Sequence, residues 1–250
     1  ANYPRALEGP VPVTFCIALR MFALCSLPLW LVPALPAAGF VVLALAGARL
    51  GKRWSAVIGA GSVGLSAAAT FGVAICFLGH PPDGGVRIER LWTWIEIDGF
   101  DIGFSLALDA LSLVMIFVVT FVGFLIHLYS TEYMATDEAF SRFFAYMNLF
   151  VAFMLMLVLA DNLFLLYLGW EGVGLCSYLL IGFWYTDLEK AKAGKKAFIV
   201  NRIGDFGFLV AMALSYRFLG TLSFAGIKAE VLKFEAAQAA IEAGAAVAQQ

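Results

Sequence analysis

Residues 162–186 read NLFLLYLGWEGVGLCSYLLIGFWYT and carry one charged side chain, Glu171, among their 25 positions. A helix needs about 20 mostly apolar residues to cross a hydrocarbon core roughly 30 Å thick, so this stretch predicts a membrane-spanning helix. The whole chain has the same character, because 62% of its 250 residues are hydrophobic and only 14% are charged. Soluble domains carry roughly 25% charged residues, so the composition excludes an ordinary water-soluble enzyme.

Five further apolar runs bring the number of predicted spans to six. They are residues 21–48, 55–78, 110–126, 143–160 and 197–216. In the first run, Pro28, Pro33 and Pro36 indicate that the regular helix begins only near Leu31, since proline is tolerated in the first turn. The second run carries small residues every fourth position and is expected to pack closely against a neighbour on that face, which consists of Ala60, Gly64, Ala68 and Gly72.

The basic residues assign sides to the loops, because short loops rich in Lys and Arg tend to stay in the cytoplasm. Arg49, Lys52 and Arg53 follow the first predicted span, residues 21–48. Four lysines follow the fifth predicted span, residues 162–186, at positions 190, 192, 195 and 196. Both loops are therefore predicted to be cytoplasmic. The even number of crossings between them agrees with this and places the N-terminus outside.

The segments between and beyond the spans complete the predicted fold. Bulky residues alternate around Asp98 and Gly99, which predicts a short hairpin whose tryptophans suit the membrane surface. The prediction is thus an all-α polytopic membrane protein of about six transmembrane helices with a short extracytoplasmic β-hairpin. Its expected divisions are an N-terminal lead-in (1–30), two helices plus the hairpin (31–103), helices three to six (104–220) and an extracytoplasmic amphipathic segment (221–250).

Charge and cysteine content exclude several other classes. The formal net charge is only −2, from 16 basic and 18 acidic residues, which offers no footprint for nucleic acid. The four cysteines all lie in apolar stretches without ligand spacing, at positions 16, 25, 76 and 176. They are expected to be small buried residues, so neither a disulfide nor a metal framework is predicted.

Glu171 is the candidate for chemistry. A helix that begins near Leu163 places this carboxyl about 12 Å below the outer boundary, close to mid-membrane. Intramembrane carboxyls cost free energy, so they usually face protein or water and have a partner. Tyr167, Gly174 and Tyr178 share its helix face and could supply hydroxyls and space for water. The functional interpretation is a proton-binding site; the alternative is a structural hydrogen bond between helices.

Four further polar residues lie in or beside the spans. Arg202 and Asp205 are three residues apart on the sixth helix, so they can form an ion pair. Such a pair either alters proton binding at Glu171 or guides protons, or it only holds helices together. Asp109 and His127 are expected near the boundaries of the third span, where water reaches them.

The longest motifs resemble a known family. Residues 91–134 (LWTWIEIDGFDIGFSLALDALSLVMIFVVTFVGFLIHLYSTEYM), 169–183 (GWEGVGLCSYLLIGF) and 196–208 (KAFIVNRIGDFGF) resemble the antiporter-like subunit L of bacterial respiratory complex I, equivalent to mitochondrial chain 5. The likeness runs from about Leu31 to Phe224, and the second motif is highly specific. Residues before Leu31 match nothing that we can place.

The resemblance implies a proton-translocating subunit of NADH:quinone oxidoreductase in the bacterial inner membrane, with other complex I membrane subunits and lipid as partners. It implies that Glu171 is the carboxylate of the proton channel, linked to Asp205 and Arg202. It also implies no cofactor on this chain, with NADH, FMN, iron–sulfur clusters and quinone bound by other subunits. Family members have more than twice as many helices, so the chain is expected to correspond to their N-terminal part, and their essential lysine would lie beyond Gln250.

Two other functions stay open at this point. Multisubunit sodium/proton antiporters and bicarbonate-uptake systems share the regions around Glu171 and Asp205. A chain of six spans could also be a scaffold that holds neighbouring subunits and pumps nothing.

Overall fold

The computed structural model describes residues 27–97 and 100–248 of the chain. It contains seven helices and one antiparallel hairpin in this part of the sequence. In chain order they are α1 (Leu31–Ala46), α2 (Lys52–Gly79), β1 (Arg87–Ile97), β2 (Phe100–Leu108), α3 (Ala110–Tyr133), α4 (Phe140–Val158), α5 (Leu163–Ile181), α6 (Leu188–Leu219) and α7 (Phe224–Ala248). The all-helical prediction with a short hairpin is therefore confirmed. The predicted segment before residue 27 lies outside the described residues.

Five of these helices, α2 to α6, are long and apolar enough to span a membrane, whereas α1 has only 16 residues. The two ends of α1 nevertheless lie at opposite ends of the bundle. Just before α1, the carbonyl of Leu27 accepts a hydrogen bond from Arg87 of the hairpin, 3.0 Å away. Just after α1, Gly47 lies close to Ser141 at the start of α4. The short first helix therefore runs the length of the bundle, and the six helices α1 to α6 alternate in direction.

The hairpin and two later loops meet at one end of the bundle. The amide of Ala107 donates to Leu159 O at 2.8 Å, and the amide of Asp161 donates to Ser105 O at 3.3 Å. The amide of Leu163 in turn donates to the carbonyl of Leu222, beyond α6, at 3.0 Å. The chain segments predicted to lie outside the cytoplasm thus share one end.

The loops that follow α1, α3 and α5 meet at the other end. Lys52 donates from Nζ to the carbonyl of Ala135 at 2.7 Å, and the indole of Trp184 donates to Asp137 Oδ2 at 2.9 Å. This hydrogen bond holds the pKa of Asp137 below its usual value. The four lysines predicted to form the second basic loop lie instead in the first turns of α6. They are nevertheless on the same side of the bundle as Lys52, as the charge pattern predicts.

Pro36 lies inside α1 and has no amide hydrogen to give to the carbonyl of Val32, four residues before it. The hydroxyl of Ser66 on α2 takes that place and donates to Val32 O at 2.6 Å. Both Val32 and Ser66 are fully buried. A proline is tolerated in a spanning helix when a neighbouring helix satisfies the freed backbone group in this way.

The small-residue face of α2 is only partly as predicted. Ala60 and Gly72 are buried, and Gly64 packs against the ring of Phe124 on α3. Ala68 is exposed, so the prediction that it belongs to the packed face is wrong. The buried side of α2 is rotated toward Val63, which stands in the core with residues of α1 and α4.

The hairpin pairs Arg87 with Leu108 at its base and Ile97 with Phe100 at its tip, with two register shifts between. The predicted turn at Asp98 and Gly99 lies outside the described residues. Cys176 is free and buried as expected. Cys76, however, is disulfide-bonded, which overturns the prediction that the cysteines form no disulfide.

The third helix starts from a side-chain cap. Asp109 accepts a hydrogen bond from the amide of Ser112 at 2.7 Å, while Ser112 Oγ accepts one from the amide of Asp109 at 2.7 Å. The bond from the Ser112 amide is the main reason that the pKa of Asp109 lies below its usual value. Asp109 therefore lies at a boundary, as predicted.

His127 does not lie where the sequence predicted. It is fully buried within α3, after a π-helical turn at Val118–Val122. Its Nδ1 lies 2.7 Å from the carbonyl of Gly123, and Nε2 has no hydrogen-bond partner in the part of the chain that the structure describes. The prediction that water reaches His127 is wrong, because its side chain is fully buried and its ring lies 6.0 Å from the ring of Phe144 on α4.

Candidate functional site

Two glycines fix the face that α5 turns toward α4. A Cβ atom added to Gly169 would lie 2.7 Å from the Cα atom of Leu157, and one added to Gly172 would collide with the ring of Phe153. The backbones of α4 and α5 are therefore in close contact on this side. Glu171 lies between the two glycines in sequence and is turned away from α4, toward α6.

Glu171 forms an ion pair with Arg202 of α6. Its side chain is 21% exposed and that of Arg202 is 31% exposed. Glu171 lies eight residues into α5, which begins at Leu163 as predicted, so it stands about 12 Å from the helix start. The predicted mid-helix carboxylate thus has a cationic partner on another helix.

Arg202 also faces a second carboxylate. Its Nη1 lies 3.6 Å from Oδ2 of Asp205, one turn along the same helix. The predicted pair of Arg202 and Asp205 exists, but it is one half of a triad in which a single guanidinium lies between two carboxylates. The triad carries one positive and two negative charges when all three groups are ionised.

Asp205 has a further partner that the sequence did not predict. The indole Nε1 of Trp170 donates to Asp205 Oδ1 at 2.8 Å. The side chain of Asp205 is only 9% exposed, so this donor matters more than it would at a surface. The two carboxylate oxygens of Asp205 are thereby divided between an indole and a guanidinium.

Aromatic rings enclose the triad above and below. Phe198 lies one turn before Arg202, whose guanidinium carbon is 4.5 Å from the ring centre. Tyr178 packs on Phe198 at 5.3 Å, and Tyr167 packs on Phe208 at 5.5 Å. The two tyrosines predicted to share the face of Glu171 do so, but their rings pack against phenylalanines of α6.

A groove of about 690 Å³ runs along α5 and α6 beside the triad. Its polar atoms come from Trp170, Ser177, Asn201 and Asp205, and the remainder of its wall is apolar. The groove is open on one side in the described chain. It gives the Asp205 end of the triad room for water or for further protein.

A second, more polar cavity of about 360 Å³ lies at the hairpin end of the bundle. Arg90 and Asp101 form an ion pair at 2.9 Å on its wall, and Ser105 donates to Asp161 at 3.1 Å. Gly220 closes α6 beside it with a φ of 68°, a left-handed conformation that suits glycine at a helix end. Asp161 and Asn162, which connect α4 to α5, therefore lie on the wall of a polar cavity.

The comparisons with known proteins agree with this architecture. The family model described as NADH-Ubiquinone oxidoreductase (complex I), chain 5 N-terminus matches residues 94–144. A second, described as NADH:quinone oxidoreductase/Mrp antiporter, TM, matches residues 160–247. The chain is 53% identical over 190 residues to NADH-quinone oxidoreductase subunit L of Escherichia coli strain K12, a match that covers 76% of this chain.

The chain is similar to subunit L of complex I. A subunit L from Pseudomonas aeruginosa is 48% identical over 188 residues, which are 75% of this chain. In both bacterial relatives the match covers 31% of the relative, so the chain spans about a third of their length. A solved Mrp complex from Dietzia sp. DQ12-45-1b matches with a TM-score of 0.63 and 25% identity, covering 80% of this chain and 20% of that one.

This similarity is consistent with the multi-pass fold and with assembly into a multisubunit membrane complex. Three of the four residues that meet at the site are predicted from the sequence, namely Glu171, Arg202 and Asp205. Trp170 is not predicted, although its position beside Glu171 is a signal that points to it. The indole N–H of a tryptophan is a hydrogen-bond donor, and a buried carboxylate needs donors.

Proposed function

We propose that this chain forms the N-terminal part of a proton-translocating membrane subunit of an NADH:quinone oxidoreductase, and that Glu171 is the carboxylate that carries the proton. The observation that supports this most is the sharing of Arg202 between Glu171 and Asp205 within the spanning helices. Two carboxylates that compete for one cation form a site whose proton occupancy depends on where the cation lies.

The chemistry of the proposed cycle follows from charge balance. Two unit charges about 4 Å apart attract each other by roughly 4 kcal/mol at an effective dielectric of about 20, so a guanidinium that changes partner alters proton binding by orders of magnitude. When Glu171 takes up a proton, its attraction for Arg202 falls and the guanidinium shifts toward Asp205. When Arg202 returns, it favours the charged carboxylate, and the proton leaves.

The proposal also includes the direction in which protons move and the subunits that bind the cofactors. Protons enter from the side of the basic loops, the cytoplasm, and leave toward the hairpin end, across the inner membrane of a bacterium. The redox arm and the other membrane subunits supply the change that moves Arg202 or its further partners. We propose that NADH, FMN, iron–sulfur clusters and quinone are bound by those other subunits and none by this chain.

The test uses the full-length protein in its native membranes. Glu171→Gln is compared with Glu132→Gln, which removes an exposed glutamate at the end of α3. Vesicle acidification and NADH oxidation are measured together, so that protons moved per NADH can be calculated. We expect this ratio to fall sharply in Glu171→Gln and to stay unchanged in Glu132→Gln. An unchanged ratio in Glu171→Gln would rule out the proposed role of Glu171.

A second candidate function is sodium/proton antiport, which the likeness to the solved Mrp complex favours. The same triad could then exchange a proton for a sodium ion. NADH-dependent quinone reduction by the purified assembly separates the two functions. Its absence, together with a proton gradient that dissipates on addition of sodium, would favour the antiporter.

A further inference from the structure

The side chain of Trp170 reaches across to α6 beside the triad. Its Nε1 is 2.8 Å from Asp205 Oδ1, closer than the 3.6 Å between Arg202 Nη1 and Asp205 Oδ2. The nearest resolved donor to this buried carboxylate is therefore a neutral indole. Glu171, the next residue along α5, pairs with Arg202, so two consecutive residues of α5 contact two residues of α6 that are one turn apart.

An indole differs from every other donor at this level of the bundle. It donates one hydrogen bond, accepts none, and does not take up or release a proton in the physiological range. It therefore stabilises the charged form of Asp205 without taking part in proton exchange. A buried carboxylate that lacked this donor would depend on the guanidinium alone, because an unsatisfied buried charge is costly.

We propose that Trp170 is a positioning residue for the triad: its indole N–H holds one oxygen of Asp205, which leaves Arg202 available to Glu171. The inference rests on the function proposed above for Glu171. Removal of the N–H would draw Arg202 toward Asp205 and unbalance the competition between the two carboxylates.

Packing alone does not explain the contact. The ring of Trp170 lies 6.4 Å from that of Phe208 at a tilt of 34°, which is a loose aromatic contact. Trp170 is also 53% exposed in the described chain, so about half of its surface is not packed against other residues. The hydrogen bond is the feature that tryptophan provides and phenylalanine does not.

The titratable or charged groups near Trp170 are few. They are Glu171, Arg202 and Asp205 of the triad and the phenols of Tyr167 and Tyr178, in the part of the chain that the structure describes. The side chains that α4 turns toward α5 at this level are apolar. A change in the pH dependence of pumping after substitution of Trp170 therefore reports on the triad.

The test compares four variants of the full-length protein in native membranes. Trp170→Phe keeps a ring and removes the donor, Trp170→His keeps an N–H donor on a smaller ring, and Phe208→Leu removes the packing partner. Trp184→Phe is the matched control, because Trp184 also donates to an aspartate, Asp137, but at the bundle end. Accumulation in the membrane, protons moved per NADH and the pH profile of that ratio are measured for each.

We expect Trp170→Phe to lower the ratio on the order of tenfold, which is what loss of a hydrogen bond to a charged group is worth, and to shift its pH profile. Trp170→His recovers most of the ratio, and Phe208→Leu and Trp184→Phe stay within about twofold of the parent with the profile unmoved. Parental pumping in Trp170→Phe, or an equal loss in Phe208→Leu, overturns the inference.

If Trp170→Phe fails to accumulate, Trp170→His decides alone. A packing role predicts loss of pumping in that variant, whereas the positioning role predicts that most of it remains. Glu171→Gln separates this inference from the function on which it rests. If Glu171→Gln stops pumping and Trp170→Phe pumps like the parent, only the proposed role of Trp170 fails. If Glu171→Gln pumps normally, the proposed function itself fails.

Discussion

Substitution of Ser66 by alanine tests how the proline in α1 is accommodated. The Ser66 hydroxyl is 2.6 Å from the carbonyl of Val32, which Pro36 leaves without its helical partner. Leaving a buried acceptor unsatisfied costs about 1 to 3 kcal/mol in proteins generally. Hydrogen bonds between helices in membranes average about 0.6 kcal/mol, with a maximum near 1.7. We therefore expect Ser66→Ala to lower the free energy of unfolding by about 1 to 2 kcal/mol.

The cause can be isolated by restoring the missing amide. In a Pro36→Ala background the backbone N–H can donate to Val32 O, so the loss of the Ser66 hydroxyl should cost no more than about 0.5 kcal/mol. The coupling energy between positions 36 and 66 is then about 1 kcal/mol. Ser215→Ala is the matched control, because that hydroxyl donates within its own helix to Ala211 O and is exposed.

The assay is reversible unfolding of the purified full-length protein in mixed micelles, followed by circular dichroism as the denaturing detergent increases. Equal costs of Ser66→Ala in the proline and alanine backgrounds would refute the reasoning. Such a result would mean that the Ser66 hydroxyl stabilises the fold through something other than the orphaned carbonyl.

Three further predictions follow from the packing, the caps and the length of the chain. Gly169→Ala should lower the free energy of unfolding by about 1 to 3 kcal/mol, because the added methyl group collides with the backbone of Leu157. Gly207→Ala is the control in the same unfolding assay: its added methyl group has nothing within 4 Å, so the substitution should be neutral or stabilising. Asp109→Ala should lower the free energy of unfolding by about 1 kcal/mol at neutral pH, because it removes the cap of α3. Folding lowers the pKa of Asp109, so its contribution to stability is present above the unfolded pKa near 3.9 and is lost as the pH falls through the folded pKa. The stabilities of the parent and the variant should therefore converge in acid. The 250-residue chain alone, reconstituted in liposomes with a pH-sensitive dye, should conduct no protons, and a flux above that of empty liposomes would show that the six helices form a complete path.

The apolar runs predict where the helices lie because a chain that crosses a membrane must meet one simple physical condition. Nearly all backbone groups in hydrocarbon must be satisfied within their own helix, with exceptions such as the carbonyl that Pro36 leaves to Ser66, so length and hydropathy suffice to locate a span. The fifth spanning helix begins at Leu163 as predicted, directly after the polar residues Asp161 and Asn162. Even the first helix, at 16 residues, was found by its prolines, which marked its start at Leu31.

The rotation of each helix could not be predicted in the same way. Surfaces that face lipid and surfaces that face other helices are both apolar, so hydropathy does not tell them apart. This is why Ala68 was assigned to the packed face of α2, and why His127 was placed near water although it is fully buried. The same limit hid the contact between Trp170 and Asp205, which depends on how α5 and α6 face each other.

The central claim is that Glu171 gains and loses a proton during turnover, and infrared difference spectroscopy tests it most directly. Spectra of the full-length protein in native membranes are recorded before and during NADH oxidation, and the carbonyl stretch of protonated carboxyl groups is followed. We predict a band in this region that disappears in Glu171→Gln and persists in Glu132→Gln. A band that is unchanged in Glu171→Gln, or no change in this region during turnover, would contradict the account.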